Sequence, residues 1–285
     1  MCHFACRKTN RWQKNEPLAD AVGRIISEQL AHAGAQLANK DVQADTAVHE
    51  VRKVVEKLDA LLQLIRPALK KKSFRRQHKR LQRLGRQLGN SVMLPDTLNR
   101  LTDHFSIMLD DSALEAVRQS LASHHSMALQ QQSATLDITA IRKKLGVLEQ
   151  QLAGLQLDRL SGKTLQRSIR KSWRRCRQAL AKLRAVPTTA NSHSFRRQVK
   201  SLWYQLRLLR RKKHIKALRY SDTLRDIEQL LGQDNDLAVL IGTLHDYPEI
   251  SGNPVCRELL ISLAETRRIV LLSRALRLAK PVFGG

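Results

Sequence analysis

The segment "HSFRRQVKSLWYQLRLLRRKKH", residues 193–214, combines a row of apolar side chains with a row of cations. On a helical wheel at about 100° per residue, one face carries Phe195, Val199, Leu202, Leu206 and Leu209. The opposite face carries His193, Arg196, Arg197, Lys200, Tyr204, Arg207, Arg211 and His214. The pattern predicts an amphipathic helix about 31 Å long, at about 1.5 Å per residue. Its apolar face is expected to pack in a core, and its cationic face to bind an anion.

The composition extends this helical pattern to the whole chain. Leu, Ala, Gln, Arg and Lys are abundant, whereas 285 residues contain seven Pro and twelve Gly. These are the residue types that favour helices, and an apolar content of 42% is enough to bury a core. The sequence therefore predicts an all-α protein. Neither a signal peptide nor a run of ~18 apolar residues is present, which predicts a cytoplasmic protein without a membrane span.

The charge balance predicts a polyanionic partner. Lys and Arg number 51 against 25 Asp and Glu, which gives a formal net charge of +26. Such a charge destabilises the compact state through self-repulsion unless an anion is bound. Nucleic acid, an anionic membrane surface and a phosphate polymer all satisfy this requirement, so the overall charge does not choose among them.

Hydrophobic periodicity divides the chain into a series of helices after a polar extension of residues 1–16. Helices are expected at about 17–39, 45–67 and 70–89, and further ones over 96–132, 138–160 and 161–184. The third helix is expected to bury Phe74, Leu81, Leu84 and Leu88. The segment "QQQSATLD", residues 130–137, is the expected internal joint.

An internal repeat is the most informative feature of the sequence. Aligned without gaps, residues 49–66 match residues 193–210, so that His49 corresponds to His193 and Arg52 to Arg196. Further along, "LGRQLGNSVM" (84–93) matches "LGQDNDLAVL" (231–240) in its Leu-Gly and in a Val seven residues past the Gly. Two related helical halves are therefore predicted, at about 17–135 and 136–285.

These motifs resemble the CHAD domain, the conserved histidine α-helical domain. The second half carries the resemblance in His193, Arg196, Lys200, Leu202, Tyr204, Leu231, Gly232, Asn235, Asp236, Val239 and Leu240, and the first half in His49, Arg52, Lys57 and Leu58. The resemblance covers about residues 17–280. It implies two pseudo-symmetric four-helix units around a basic central groove or pore. It also implies non-catalytic binding of inorganic polyphosphate and association with polyphosphate granules. Only about sixteen residues precede the first helix, so we expect a stand-alone domain without the triphosphate-tunnel metalloenzyme domain found in related proteins.

The sequence departs from the family pattern at several positions. Glu56 and Asp59 stand where the family favours Arg, and Leu88 and Gly89 replace an expected Arg-Asp pair. In the second half, Trp203 stands at an Arg position and Arg207 at a position that is usually acidic. We therefore expect the first half to bind more weakly than the second.

The cations that repeat along these helices are the predicted polyphosphate contacts. Arg offers bidentate contact to phosphate oxygens and Lys a mobile point charge, while each histidine lies near the start of its helix, where the dipole favours an anion. The predicted binding residues are His49, Arg52, Lys53, Lys57, Arg75, Lys79, Arg86, Arg167, Arg170, Arg174, His193, Arg196, Arg197, Lys200, Tyr204, Arg207, Arg211 and His214. No catalytic residue, metal or cofactor is expected. Imidazole titrates near pH ~6.5, so binding is expected to tighten as the pH falls toward 6.

Three other interpretations stay open at this point. A single charged helix face is commonly a solvated surface, and this applies most to the faces of residues 75–86 and 163–177. Nucleic-acid binding fits the charge, although aromatic residues make up 4% of the chain and provide few platforms for base stacking. A polyphosphate-processing enzyme requires carboxylates near the phosphates, and Glu56 is the one obvious acid on the basic faces.

Asp234 and Asp236 are expected to cap a helix or bond between helices rather than to hold a metal.

Overall fold

The computed structural model describes residues 12–13, 15–39, 44–89, 94–105, 111–135, 137–210 and 215–284, and within these ranges every regular element is helical. The α-helices are α1 (Leu18–Ala38), α2 (Ala44–Ile65), α3 (Lys71–Gln87), α4 (Leu94–Phe105), α5 (Asp111–Thr135), α6 (Ile138–Ala153), α7 (Gly162–Ala185), α8 (Thr189–Leu208), α9 (Ser221–Asp246) and α10 (Pro254–Phe283). Short 3₁₀ turns span Arg66–Ala68, Lys216–Tyr220 and Pro248–Ser251. The prediction of an all-α fold is confirmed.

The helix boundaries follow the sequence signals in part. The expected joint at residues 130–137 is mostly helical, because α5 extends to Thr135 and α6 begins at Ile138. Asp137 is the N-cap of α6 and accepts a hydrogen bond from the Ala140 backbone N–H at 2.9 Å. In α3, Phe74, Leu81 and Leu84 are buried, and Leu88 is buried just past its end. The apolar positions chosen from periodicity therefore do form the inner face of this helix.

The chain divides into two compact units. Unit 1 comprises residues 1–90, 136–178 and 198–224, and unit 2 comprises residues 91–135, 179–197 and 225–285. Each unit draws segments from both predicted repeats, and the repeat boundaries at 17–135 and 136–285 stay a prediction.

Unit 1 is built around α1 and α2. Helix α1 packs on α2 and α6, and α2 packs on α3. Within the polar extension expected at residues 1–16, Trp12 is fully buried and its backbone N–H donates to the Leu208 carbonyl at 3.2 Å. Glu16 pairs with Arg24 of α1 at 2.7 Å. Residues 1–11 and 14 lie outside the described residues.

Unit 2 has a leucine-rich core of its own. Leu98 and Leu101 of α4 lie in one apolar cluster with Leu121 of α5, Leu240 of α9 and Leu260 of α10. None of the helices in the described ranges combines the length and the hydropathy that a membrane crossing needs.

Helix α8 contains residues 193–208 of the amphipathic segment 193–214. The five predicted apolar residues of that segment, from Phe195 to Leu209, are all fully buried, as expected. The predicted length is wrong, because α8 ends at Leu208. The N–H groups of Leu209 and Arg210 bond three residues back, to Leu206 and Arg207, which closes the last turn. The helical part from His193 to Leu208 is about 22 Å long. Arg211 and His214 lie outside the described residues.

The cationic face of α8 is less exposed than its sequence indicates. His193, Arg196, Lys200 and Arg207 are half-buried, and Tyr204 is 9% exposed. Because cations on this face are partly removed from water, they require partners within the protein.

Removing the Phe195 ring tests the core of unit 2. Phe195 packs edge-on against Phe283, with ring centroids 6.0 Å apart. We expect Phe195→Ala to lower the free energy of unfolding by about 3–5 kcal/mol, because it leaves a cavity. Urea denaturation followed by circular dichroism measures this. Val255→Ala, at a 75% exposed position, is the control and should change stability by less than about 0.5 kcal/mol. Equal effects of the two substitutions would contradict this packing.

Candidate functional site

A first basic cluster lies in unit 1. Helix α2 supplies His49, Arg52, Lys53 and Lys57, and residues 198–208 of α8 supply Lys200, Tyr204 and Arg207. Lys200 Nζ lies 2.7 Å from Glu56 Oε2, which ties α8 to α2. The structure thus brings first-half and second-half residues of the predicted site into one cluster.

Arg52 is held by the end of another helix. Its Nη1 donates to the Gly89 carbonyl at 2.8 Å, just past the C-terminus of α3, where the helix dipole favours a cation. Gly89 adopts a positive φ of 67°, a conformation that glycine tolerates best. Arg52 Nη2 also lies 3.4 Å from His49 Nδ1. Since a guanidinium only donates, this contact requires an unprotonated Nδ1 on His49.

Glu50 partly neutralises the first basic cluster. Its carboxylate pairs with Lys53 at 2.7 Å, and His32 Nε2 lies 3.8 Å away. Burial acts to raise the pKa of Glu50, but the Lys53 hydrogen bond and the charges of Lys53, His49 and Lys57 outweigh it. The net effect lowers the pKa of Glu50, so this carboxylate stays ionised near neutral pH.

A small cavity lies within the first basic cluster. Lys57, Tyr204 and Arg207 line it together with Gln29 of α1, and its volume of about 10 Å³ is close to that needed by one water molecule. Gln29 is 2% exposed, and no described residue bonds its Oε1. A buried amide oxygen without a protein partner is a position that ordered water commonly fills.

A second basic cluster lies in unit 2 and consists of His193, Arg196 and Arg197. His193 Nδ1 donates to Asn235 Oδ1 at 3.2 Å, and Arg196 Nη2 lies 3.1 Å from the buried carboxylate of Glu228. Arg197 is exposed. Both Asn235 and Glu228 belong to α9, so this helix orients the start of α8.

Gly232 allows Arg196 to lie directly against α9. A Cβ at this position would stand 3.1 Å from Arg196 Nη2 and 3.4 Å from its Nε. The glycine of "LGQDND" thus has a steric function, which the sequence analysis did not recognise. Glu228 was also missed, since an acid three residues before this motif carries no separate signal.

Asp234 joins three helices of unit 2. It is 2% exposed, accepts a hydrogen bond from Ser192 Oγ of α8 at 2.8 Å and pairs with Arg268 Nε of α10 at 2.9 Å. Arg268 also donates to Thr189 Oγ1 at 2.9 Å. The prediction that Asp234 bonds between helices is confirmed. Asp236 lies 3.7 Å from Arg100 of α4.

The remaining predicted residues lie on α3 and α7 in unit 1. Lys79, Arg86, Arg170 and Arg174 are exposed. Arg75 and Arg167 line a pocket that also contains four cations absent from the prediction, Arg66, Lys71, Lys171 and Arg175. The run "RPALKKKSFRR", residues 66–76, is the sequence signal that would have found part of it.

The histidines lie slightly further into their helices than expected. His49 is the sixth residue of α2 and His193 the fifth of α8. Both stand just beyond the first turn, where the unpaired backbone N–H groups lie. Side-chain contacts therefore position these imidazoles more directly than the helix dipole does.

A family model identifies the family of this chain, and a solved structure shares its fold. The model of the CHAD domain matches residues 24–245. Among solved structures, the crystal structure of the CHAD domain from the plant Ricinus communis superposes with a TM-score of 0.58 at 18% sequence identity. That match covers 97% of this chain and 95% of the plant chain. A comparison with curated proteins gives no match.

Two glycines of α9 provide a matched test of the Arg196 contact. At Gly242 an added Cβ meets nothing within 4 Å, so Gly242→Ala should stabilise the protein by about 0.5–1 kcal/mol through helix propensity. Gly232→Ala increases helix propensity by the same amount but displaces the Arg196 guanidinium. We therefore expect the stability of the protein to stay unchanged or to fall. Urea denaturation of both variants measures the difference. Equal stabilisation by the two substitutions would show that Gly232 does not position Arg196.

Proposed function

The chain belongs to the CHAD domain family, and on that basis we propose that it binds inorganic polyphosphate without catalysing a reaction on it. The two basic clusters, each containing one motif histidine, are the proposed contacts. Binding to long chains would also bring the protein to polyphosphate granules in the cytoplasm.

The placement of Arg52 in the first basic cluster is the observation that carries this proposal. Its guanidinium contacts the Gly89 carbonyl and His49 Nδ1, and neither group carries a negative charge. These contacts therefore leave the positive charge of Arg52 for a polyanion to neutralise, in a chain whose formal net charge is +26. Arg52 is oriented by Gly89 before any ligand arrives, which lowers the entropy lost on binding.

The surroundings of Trp203, which adjoins Tyr204 on α8, favour binding of a phosphate chain over binding of a nucleobase. Arg207 lies over the Trp203 ring at 4.9 Å, and Tyr204 stacks on the same indole at 5.0 Å between centroids. Single-strand binding proteins need open aromatic faces for their bases. An indole already covered by Arg207 and Tyr204 is a poor platform of this kind.

The carboxylates near the clusters support binding without catalysis. Enzymes that transfer phosphoryl groups hold metal ions with carboxylates close to the phosphates. Glu50 pairs with Lys53, Glu56 with Lys200 and Glu228 with Arg196. In these ion pairs the acids position cations, which suits recognition of a polyanion.

The two motif histidines respond differently to protonation. His193 donates through Nδ1, and this contact survives when its Nε2 also gains a proton. His49 accepts at Nδ1, so protonation of that atom breaks its contact with Arg52. The freed Arg52 N–H and the new imidazolium are then both available to phosphate oxygens.

Salt dependence tests polyphosphate binding directly. If about six phosphates are neutralised, affinity for long-chain polyphosphate should fall by roughly 10³-fold between 50 and 200 mM salt. Fluorescence anisotropy with a labelled chain measures this, with duplex DNA as competitor at matched phosphate concentration. A response that is flat to salt would overturn the proposal, and equal or stronger competition by DNA would favour nucleic acid as the ligand.

The pH dependence tests the histidines. Binding should tighten from pH 7.5 to pH 6, and the double substitution His49→Gln with His193→Gln should remove most of this change, because glutamine hydrogen-bonds but gains no charge. His245→Gln, at an exposed position on α9, is the control. Unchanged affinity and pH dependence in the double variant would mean that both histidines are structural only.

A further inference from the structure

A second concentration of positive charge lies in unit 1, away from both histidines. The 3₁₀ turn after α2, the start of α3 and the middle of α7 enclose a pocket of about 350 Å³, here named the α3–α7 pocket. Its cations are Arg66, Lys71, Arg75, Arg167, Lys171 and Arg175. Among the described residues that line it, none is Asp or Glu. This distinguishes the pocket from the first basic cluster, which contains its own carboxylates.

The start of α3 is unusually cationic for a helix N-terminus. Lys70 occupies the N-cap without a side-chain cap hydrogen bond, and Lys71 and Lys72 follow in a first turn that holds no acid. Cations at this end oppose the helix dipole, and the first backbone N–H groups need an acceptor. An anion at this position would satisfy the N–H groups and offset the lysines.

The cations of the pocket repel one another. The charge of Arg66 is the largest cause of a lowered pKa at Lys171, followed by burial and by Arg175 and Arg174. The pKa of Arg175 is lowered by burial first and then by Arg66, although Asp59 and Cys176 act in the opposite direction. The fold therefore holds these groups closer together than their charges alone would allow.

Neighbouring groups orient these cations without cancelling their charge. Arg66 lies over the Phe74 ring at 4.8 Å, and Arg175 donates to Gln63 Oε1 at 2.5 Å. Asp59, the carboxylate that acts on Arg175, is itself bonded to His78 at 2.5 Å and to Gln63 at 2.8 Å. Asp59 offsets part of the charge of Arg175, but the aromatic and amide partners supply no negative charge, so the described lining of the pocket stays positive.

A buried hydroxyl gives independent evidence for a ligand. Ser168 lines the pocket and is 4% exposed, yet its Oγ has no hydrogen-bond partner among the described residues. An unsatisfied buried hydroxyl is costly, and such groups are rare in folded proteins. A phosphate oxygen in the pocket would accept this hydrogen bond.

We propose that the α3–α7 pocket binds a compact phosphate anion, one or two phosphoryl groups in size. Pyrophosphate and the terminal groups of a phosphate chain both have this chemistry. Six cations, a helix N-terminus and a buried hydroxyl converge on a space in the range of small-ligand sites. The site shares no residue with either basic cluster, so it does not depend on the proposed function of the histidines.

Calorimetric titration of the full chain with pyrophosphate, at fixed ionic strength, tests this site. Lys171→Gln should weaken binding roughly tenfold or more, since it removes a charge-assisted contact. Lys182→Gln, an exposed lysine further along α7, is the matched control and should bind as the wild type does. Ser168→Ala should weaken binding about threefold. No saturable binding, or equal loss in Lys171→Gln and Lys182→Gln, would overturn the site.

Thermal unfolding separates loss of ligand from loss of structure. Without pyrophosphate, Lys171→Gln should unfold at the same or a higher temperature than the wild type, because the substitution relieves repulsion. With pyrophosphate, the wild type should gain more in melting temperature than the variant. If Lys171→Gln has a lower melting temperature than the wild type without pyrophosphate, and the same increase with it, then Lys171 has a structural role. That result would overturn the role of Lys171 in binding the anion.

Two further arms identify the source of the phosphoryl group. If chain termini are the ligand, polyphosphate with chemically capped ends should no longer bind this pocket. In that case pyrophosphate should compete with uncapped chains for the pocket. The double variant His49→Gln with His193→Gln should bind pyrophosphate normally, even if it no longer binds long chains. Loss of pyrophosphate binding in that double variant would assign the site to the histidine clusters and overturn this inference.

Discussion

Cations that are half-buried must find partners inside the protein, and this constraint shapes the structure around α2 and α8. Removing a guanidinium or ammonium group from water is costly unless hydrogen bonds replace its hydration. Arg196 meets Glu228, Lys200 meets Glu56, and Arg52 meets the Gly89 carbonyl. Each contact replaces part of the hydration that one cation loses, and it fixes the direction of that side chain. The same contacts that make burial tolerable would also orient these cations toward the anion proposed to bind there.

The two copies of the sequence motif accommodate their arginine, Arg52 or Arg196, through different contacts. In the second copy, Gly232 gives Arg196 room against α9, which continues to Asp246. In the first copy, a Cβ at the matching Gly85 would meet Val55 Cγ1 at an ordinary 3.7 Å, and α3 ends at Gln87. Gly89 then turns the chain and offers its carbonyl to Arg52. Leu88 and Gly89, which depart from the family pattern, are thus the residues that end this helix.

Periodicity was sufficient to predict the helices but not the surroundings of the charged face. The apolar row from Phe195 to Leu209 identified the buried side of α8, because burial follows directly from spacing. Helix ends depend on local hydrogen bonds, which is why α8 stops six residues before the predicted end at His214. Ion-pair partners such as Glu228 come from distant segments and leave no local pattern. Trp203 and Arg207 looked like two separate departures, yet the structure pairs them.

The distribution of acids decides where the excess charge has consequences for stability. Both basic clusters contain carboxylates of their own, so they can fold without a ligand at modest electrostatic cost. The α3–α7 pocket has no carboxylate in its described lining, and one of its cations, Lys71, lies at a helix N-terminus that disfavours positive charge. An anion that binds only the folded state adds RT ln(1 + [L]/Kd) to its stability. On the proposal that the α3–α7 pocket binds a phosphate anion, we expect phosphate to stabilise unit 1 more through this pocket than through the histidine clusters, because the fold supplies least compensation there.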